Sequence, residues 1–143
     1  MILVDANLLI YSHLSNFEQH ARAREWLDKQ LADGVRIGMP WASLLAFFRV
    51  VTNRRLLSNA QTIDGAWAQI RGWLNQPFVW TPSPTEHHAG ILETLLVEGR
   101  AAGDLANDAH LATLAIEHGL TLCTNDRDFA RFPNLKWMNP LAL

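Results

Sequence analysis

The sequence predicts an α/β fold: a mostly parallel sheet of four to five short strands, covered by helices on both faces. Ile2, Leu3 and Val4 form an apolar run without alternation, as expected of a parallel strand buried on both sides. Further short runs of this kind alternate with amphipathic helical segments, a pattern that implies right-handed β-α-β crossovers. At 143 residues, 49% hydrophobic and 18% charged, the chain is long and apolar enough for one globular domain, residues 1–143, with a sizeable core.

The elements follow in order. After the first strand come Asp5, Ala6 and Asn7, and Leu8-Leu-Ile10 restarts an apolar run. Phe17 to Ala32 is a helix, with Asn16 as its cap, Ala23, Trp26, Leu27 and Leu31 at helical spacing, and Asp33-Gly34 as its stop. Val35 to Met39 is a second strand. Pro40 starts a helix carrying Leu44, Leu45, Phe47, Phe48, Val50 and Val51, apolar nearly all round and therefore buried or part of a subunit contact. Leu56 to Gln61 is a connector and Thr62 to Leu74 a helix. Phe78 to Trp80 is a third strand, Thr85 to Glu98 a helix, and Asp104 to Gly119 another. Leu120 to Cys123 and Leu135 to Met138 complete the strands.

Composition narrows the function. A net charge of −2 means that a polyanion would be held by a local arginine cluster or through metal ions. The single Cys123 excludes an internal disulfide and a cysteine zinc cage, and fits a reducing, cytoplasmic setting. No signal peptide or membrane span is expected.

In an open α/β sheet the carboxyl ends of the strands form the ligand crevice. Asp5 follows the first strand and Asp126 follows the strand ending at Cys123, both at that edge. Asp108 lies in the first turns of the helix leading into the latter strand, where Ala109 and Ala112 allow close approach to the sheet. Each acid alone has a plainer reading: Asp5 as a helix cap, Asp108 as a first-turn acid favoured by the helix dipole, Asp126 and Asp128 as turn residues. Together they converge on one edge. Unpaired, they would raise one another's pKa. An oxygen-only donor set favours Mg²⁺, with Mn²⁺ as substitute, over Zn²⁺.

The stretches Val4-Asp5-Ala-Asn7, Asp108-Ala-His-Leu-Ala112 and Thr124-Asn-Asp-Arg-Asp-Phe129 resemble the signature segments of PIN-domain ribonucleases, most closely VapC toxins of bacterial type II toxin–antitoxin systems. Met39 to Asn53 and Phe129 to Pro133 are similar to VapC as well, so the likeness spans nearly the whole chain. The resemblance implies a three-layer α/β/α fold and a Mg²⁺-dependent endoribonuclease acting on tRNA or rRNA. It also implies neutralisation by a VapB-type antitoxin and a homodimer. Asp5, Asp108 and Asp126 would be the catalytic metal ligands. Asn7, Thr124 and Asn125 would line the site, with Thr124 orienting a ligand or water. Hydrolysis would be an in-line attack of water on phosphorus, leaving a 5′-phosphate and a 3′-hydroxyl.

One position departs from the family: the usual Glu is Ala46. Asp104, four residues before Asp108, is either a substitute ligand on the same helix face or a cap accepting from the Asn107 amide. Asp128 is either a ligand or the cap of an Arg127–Ala130 turn. The missing Glu also admits an alternative function, a PIN-fold module that binds RNA or protein with weakened chemistry. Arg49, Arg54, Arg55 and Arg127, with Arg100 and Arg131, are spread along the chain but mostly close to the expected carboxyl edge, and are either RNA contacts or solvated charges and contacts for an acidic antitoxin tail. His110 reads as a surface or packing residue and the His87-His88 pair as surface. A phosphotransfer domain with a nucleophilic Asp5 lacks a well-placed lysine, since the only two are Lys29 and Lys136.

Overall fold

Ile2–Val4 forms β1, the middle strand of a five-stranded, wholly parallel sheet of order β3-β2-β1-β4-β5 in the computed structural model. The structure describes residues 1–142, and Leu143, the end of the expected domain, lies outside the described residues. The other strands are β2 (Ile37–Gly38), β3 (Val79–Trp80), β4 (Thr121–Cys123) and β5 (Trp137–Met138). The helices are α1 (Ala6–His13), α2 (His20–Ala32), α3 (Trp41–Val51), α4 (Ile63–Leu74), α5 (His88–Glu98) and α6 (Leu105–Glu117), and a 3₁₀ turn spans Arg127–Arg131.

Side-chain alternation along the strands separates two cores. Leu3 and Leu122 point to one face, where they meet Leu95, Ala109, Ala112, Leu114 and Phe129 from α5, α6 and the 3₁₀ turn. Val4 and Cys123 point to the other, where Leu8, Leu27, Leu44, Phe47 and Ile70 pack from α1 to α4. The result is the expected three-layer α/β/α architecture. Ala109, Ala112 and Ala115 are fully buried, so α6 lies close on the sheet. A side chain such as Leu122 in this layer contributes about 1.5–3 kcal/mol by burial.

Element boundaries shift where tertiary bonds compete with helical ones. α2 begins at His20 rather than Phe17, because Phe17 packs edge-on against Tyr11 of α1, with ring centroids 5.3 Å apart. The Tyr11 carbonyl also takes His20 Nδ1 at 2.8 Å. α5 begins at His88 rather than Thr85, whose backbone N–H and hydroxyl both go to Glu117 of α6. α4 starts as expected, with Thr62 Oγ1 accepting from Gly65 N–H at 3.0 Å. α3 buries Leu44, Phe47 and Val51 but leaves Trp41 at 45% and Leu45 at 57% exposure, so its apolar character exceeds what the core uses. No helix among the described residues is long and apolar enough to cross a membrane.

Candidate active site

The chain leaves β1 for β2 and β3 on one side and later fills β4 and β5 on the other, so the strand order reverses between β1 and β4. That reversal opens a crevice at the carboxyl ends of these two strands. Val4 is in register with Cys123, so Asp5 and Thr124 emerge side by side, and Asp5 N–H donates to the Cys123 carbonyl at 3.0 Å.

Thr124 is fully buried and ties the two strand ends together. Its hydroxyl donates to Asp5 Oδ2 at 2.7 Å and accepts from Asn7 Nδ2 at 3.2 Å and from Asp126 N–H at 3.0 Å. Asp5 Oδ1 accepts from Ala6 N–H at 2.7 Å, so Asp5 does cap α1 while sitting in the crevice. Asn7 Oδ1 accepts from Asn125 N–H at 3.3 Å. Asn125 Oδ1 in turn accepts from Asn139 Nδ2 at 3.0 Å, and Asn139 Oδ1 accepts from Leu141 N–H at 3.0 Å. Asn139 was not among the expected site residues. It follows β5, so the same carboxyl-edge rule that singles out Asp5 and Asp126 would have found it.

Asp108, Asp126 and Asp128 each present a carboxylate oxygen within 4.8 Å of the others. Asp5 stands outside this trio but is coupled to it electrostatically. Burial raises the pKa of Asp5, and nearby Asp126 adds to that, against the lowering effect of the Thr124 and Ala6 hydrogen bonds. Asp108 is pushed up to about 6, first by burial and then by the negative charges of Asp5, Asp126 and Asp128, with Arg131 pulling the other way. Arg131 is held near the cluster by bonds to the Asp128 and Gly99 carbonyls, each 3.2 Å. The sequence places Arg131 near this edge as a candidate RNA contact, and its effect on Asp108 comes only with the fold.

Two capping expectations are corrected. Asp128 does not cap the 3₁₀ turn; Asp126 does, its Oδ1 accepting from Asp128 N–H at 2.9 Å. That bond leaves the Asp128 carboxylate free to face the cluster. Asp104 precedes α6 but makes no capping bond, because its backbone is already helical (φ −62°, ψ −23°) and not the extended form a capping side chain requires. It is exposed, on the wall of a cleft of about 580 Å³ that Asp5, Ala46, Arg49, Asp108 and His110 also line.

Arg49 therefore faces the cleft, one helical turn beyond Ala46. Arg54 lines a separate depression with Gln61 and Thr62, where α3 hands over to α4. Arg55 is exposed beyond the end of α3, and Arg127 is exposed directly after Asp126. His88 is not a surface residue: its side chain is 13% exposed and bonded to Glu117 and His110. His87, with 72% of its side chain exposed, is. The His88–Glu117 pairing joins two helices across 29 residues, a distance over which spacing carries no signal.

A family model described as PIN domain matches residues 2–135. The chain belongs to the PIN domain family. Among similar proteins, Ribonuclease VapC37 of Mycobacterium tuberculosis is 38% identical over 143 residues, 100% of this chain and 99% of that protein. Ribonuclease VapC33 of the same species is 37% identical over 141 residues, 99% of each chain. The resemblance drawn from the short motifs thus holds along the whole chain. Two solved structures share the PIN fold. VapBC2 from Rickettsia felis, bound to a promoter DNA fragment, has a TM-score of 0.70 at 20% identity, covering 97% of this chain and 98% of that one. FitAcB from Neisseria gonorrhoeae has a TM-score of 0.67 at 21% identity over 100% of both chains.

Proposed function

We propose that this PIN domain is a Mg²⁺-dependent endoribonuclease toxin that cuts tRNA or rRNA and is neutralised by a VapB-type antitoxin. The observation that carries the proposal is the crowding of Asp108, Asp126 and Asp128 beside Asp5, with Asp108 held at about 6. Carboxylates forced together against their own repulsion, with one arginine for relief, are the donor set a hard divalent cation suits. Mn²⁺ would substitute. The names of the ribonuclease VapC relatives and the VapBC complexes among the structural neighbours support the nuclease activity and the antitoxin partner.

Asp108, Asp126, Asp128 and Asp5 would hold the ion, with Asp104 on the same wall. When bound, the ion supplies charge neutralisation at the phosphoryl oxygens and a lowered pKa for water. The chain's own residues do the rest. Thr124 fixes the Asp5 carboxylate through its hydroxyl, and Asn7 and Asn125 hold Thr124 and the start of the 3₁₀ turn in place. Arg49 across the cleft binds a backbone phosphate and sets the strand's register. The stacked, exposed Trp41 and Trp67, 6.3 Å apart, with Leu45 alongside, supply an apolar surface suited to a second copy or the antitoxin. The cytoplasm is the setting in which such substrates occur.

One observation favours a second reading. Ala46 faces the cleft where a carboxylate would complete the acidic set, so the domain would bind RNA while cutting slowly or not at all. Purified protein incubated with labelled total tRNA separates the two. Cleavage in Mg²⁺ that stops with EDTA and falls at least about 100-fold in Asp5→Asn is the expected result. Equal, metal-independent backgrounds for both proteins would leave the binding module standing.

A further inference from the structure

A second polar chain runs through the domain, and the hydrolysis described above does not use it. It starts at Glu117, near the end of α6, whose side chain has no solvent exposure. Glu117 Oε1 accepts from Thr85 N–H at 2.8 Å and from the Thr85 hydroxyl at 2.5 Å. Its Oε2 accepts from His88 Nδ1–H. The other nitrogen of that ring, Nε2, lies 3.1 Å from His110 Nδ1, with the two rings edge to face and 5.0 Å apart. His110 lines the cleft together with Asp108 and Ala46.

A buried carboxylate is costly, and apolar side chains could join α5 to α6 as well or better. The chain instead ends at the cleft. Its hydrogen count also has a direction. Glu117, satisfied by Thr85, can only accept, so His88 Nδ1 donates. With neutral rings, His88 Nε2 then accepts from His110 Nδ1–H, which leaves a lone pair on His110 Nε2. That nitrogen has no partner among the described residues. A lone pair on the wall of an acidic cleft suits a neutral donor rather than a phosphate. On an RNA strand such donors are the ribose 2′-hydroxyl and the amino and imino N–H groups of the bases.

We propose that His110 is a substrate-positioning residue whose Nε2 accepts a hydrogen bond from the nucleotide in the cleft, its ring held by Glu117 and His88. The 2′-hydroxyl is the donor that DNA lacks, so this contact sets a preference for RNA over DNA. The inference rests on the ribonuclease reading and adds a determinant of substrate class to it.

The test is binding by fluorescence anisotropy, with Ca²⁺ replacing Mg²⁺ to prevent cleavage. The probes are a short mixed-sequence RNA, the DNA of the same sequence, and oligo(U) with oligo(dU), a pair that shares every base donor and differs only in the 2′-hydroxyl. Circular dichroism melts check that each variant is folded. His110→Ala should weaken binding to mixed RNA and oligo(U) about three- to tenfold and binding to DNA less than about twofold. A loss of equal size for RNA and DNA, or for oligo(U) and oligo(dU), assigns the contact to a base donor and overturns the proposal. His110→Gln, whose side-chain carbonyl still accepts, should recover part of the loss. Glu117→Gln should weaken RNA binding in the wild-type background and add nothing in His110→Ala. An undiminished preference for RNA in His110→Ala overturns the proposal, as does a Glu117→Gln effect of equal size in both backgrounds. If the wild type still cuts RNA, this inference alone has failed. If it neither binds nor cuts RNA, the ribonuclease reading falls and takes this one with it.

Discussion

Asp108 keeps its proton to about pH 6, whereas an unfolded aspartate loses it near 3.8. Between those values the folded chain binds more protons than the unfolded one, so stability falls as pH rises from about 4 to about 6 and the loss is complete above. Asp5 shifts in the same direction and adds to it. The effect is softened because the Asp108 carboxyl is partly in solvent. Asp108→Asn should therefore raise the melting temperature at pH 7, change it little at pH 4, and abolish cleavage. Mg²⁺ should raise the melting temperature of the wild type at pH 7, because it binds only the folded state, and EDTA should reverse the gain. Thermal unfolding across this pH range, with and without metal, checks both expectations. At this scale the sequence showed where acids gather and not how each is used. The position of Asp126 after an apolar run was enough to place it at the crevice. Its capping bond depends on an extended backbone at one residue (φ −104°, ψ 117°), which composition does not encode.

At the level of elements, α5 and the 3₁₀ turn meet at Gly99. A Cβ there would lie 2.6 Å from the Leu95 carbonyl oxygen and 2.9 Å from Phe132 Cδ1. Gly99→Ala should destabilise the fold by about 1–3 kcal/mol, read as a lower urea midpoint at unchanged slope. The same shift would draw the Gly99 carbonyl away from Arg131, which steadies the acidic trio, so the variant should also raise the pKa of Asp108 further. The strands at the middle of the sheet, β1, β2 and β4, were legible because they are buried on both faces, and β1 has the bounds its sequence suggested. Helix starts were less legible. Thr85 and Phe17 have ordinary first-turn credentials, and only partners far along the chain, Glu117 for one, or on a neighbouring helix, Tyr11 for the other, pull them out of helical bonding.

Across the whole molecule, a net charge of −2 leaves the proposed RNA binding to local positive charge. Arg49 faces the cleft and Arg54 does not. Arg49→Ala should lower the slope of log affinity against log salt by about one, and Arg54→Ala should leave that slope nearly unchanged. Salt titrations of RNA binding decide this. The parallel sheet was within reach of the alternating pattern and its handedness rule, whereas the strand order, with its reversal at β1, was not. The polar chain through α5 was not, because its members answer to packing between layers and not to any period along the sequence.

The bond from the Thr124 hydroxyl to Asp5 spans 119 residues, and the central strand has its β4 neighbour only when the far end of the chain arrives. At about 5–20 residues per second, a ribosome needs roughly 6–24 s after making Asp5 before Thr124 even exists. On the proposed ribonuclease reading, a nascent chain that still lacks β4 is therefore mute towards the message and the ribosome that are making it.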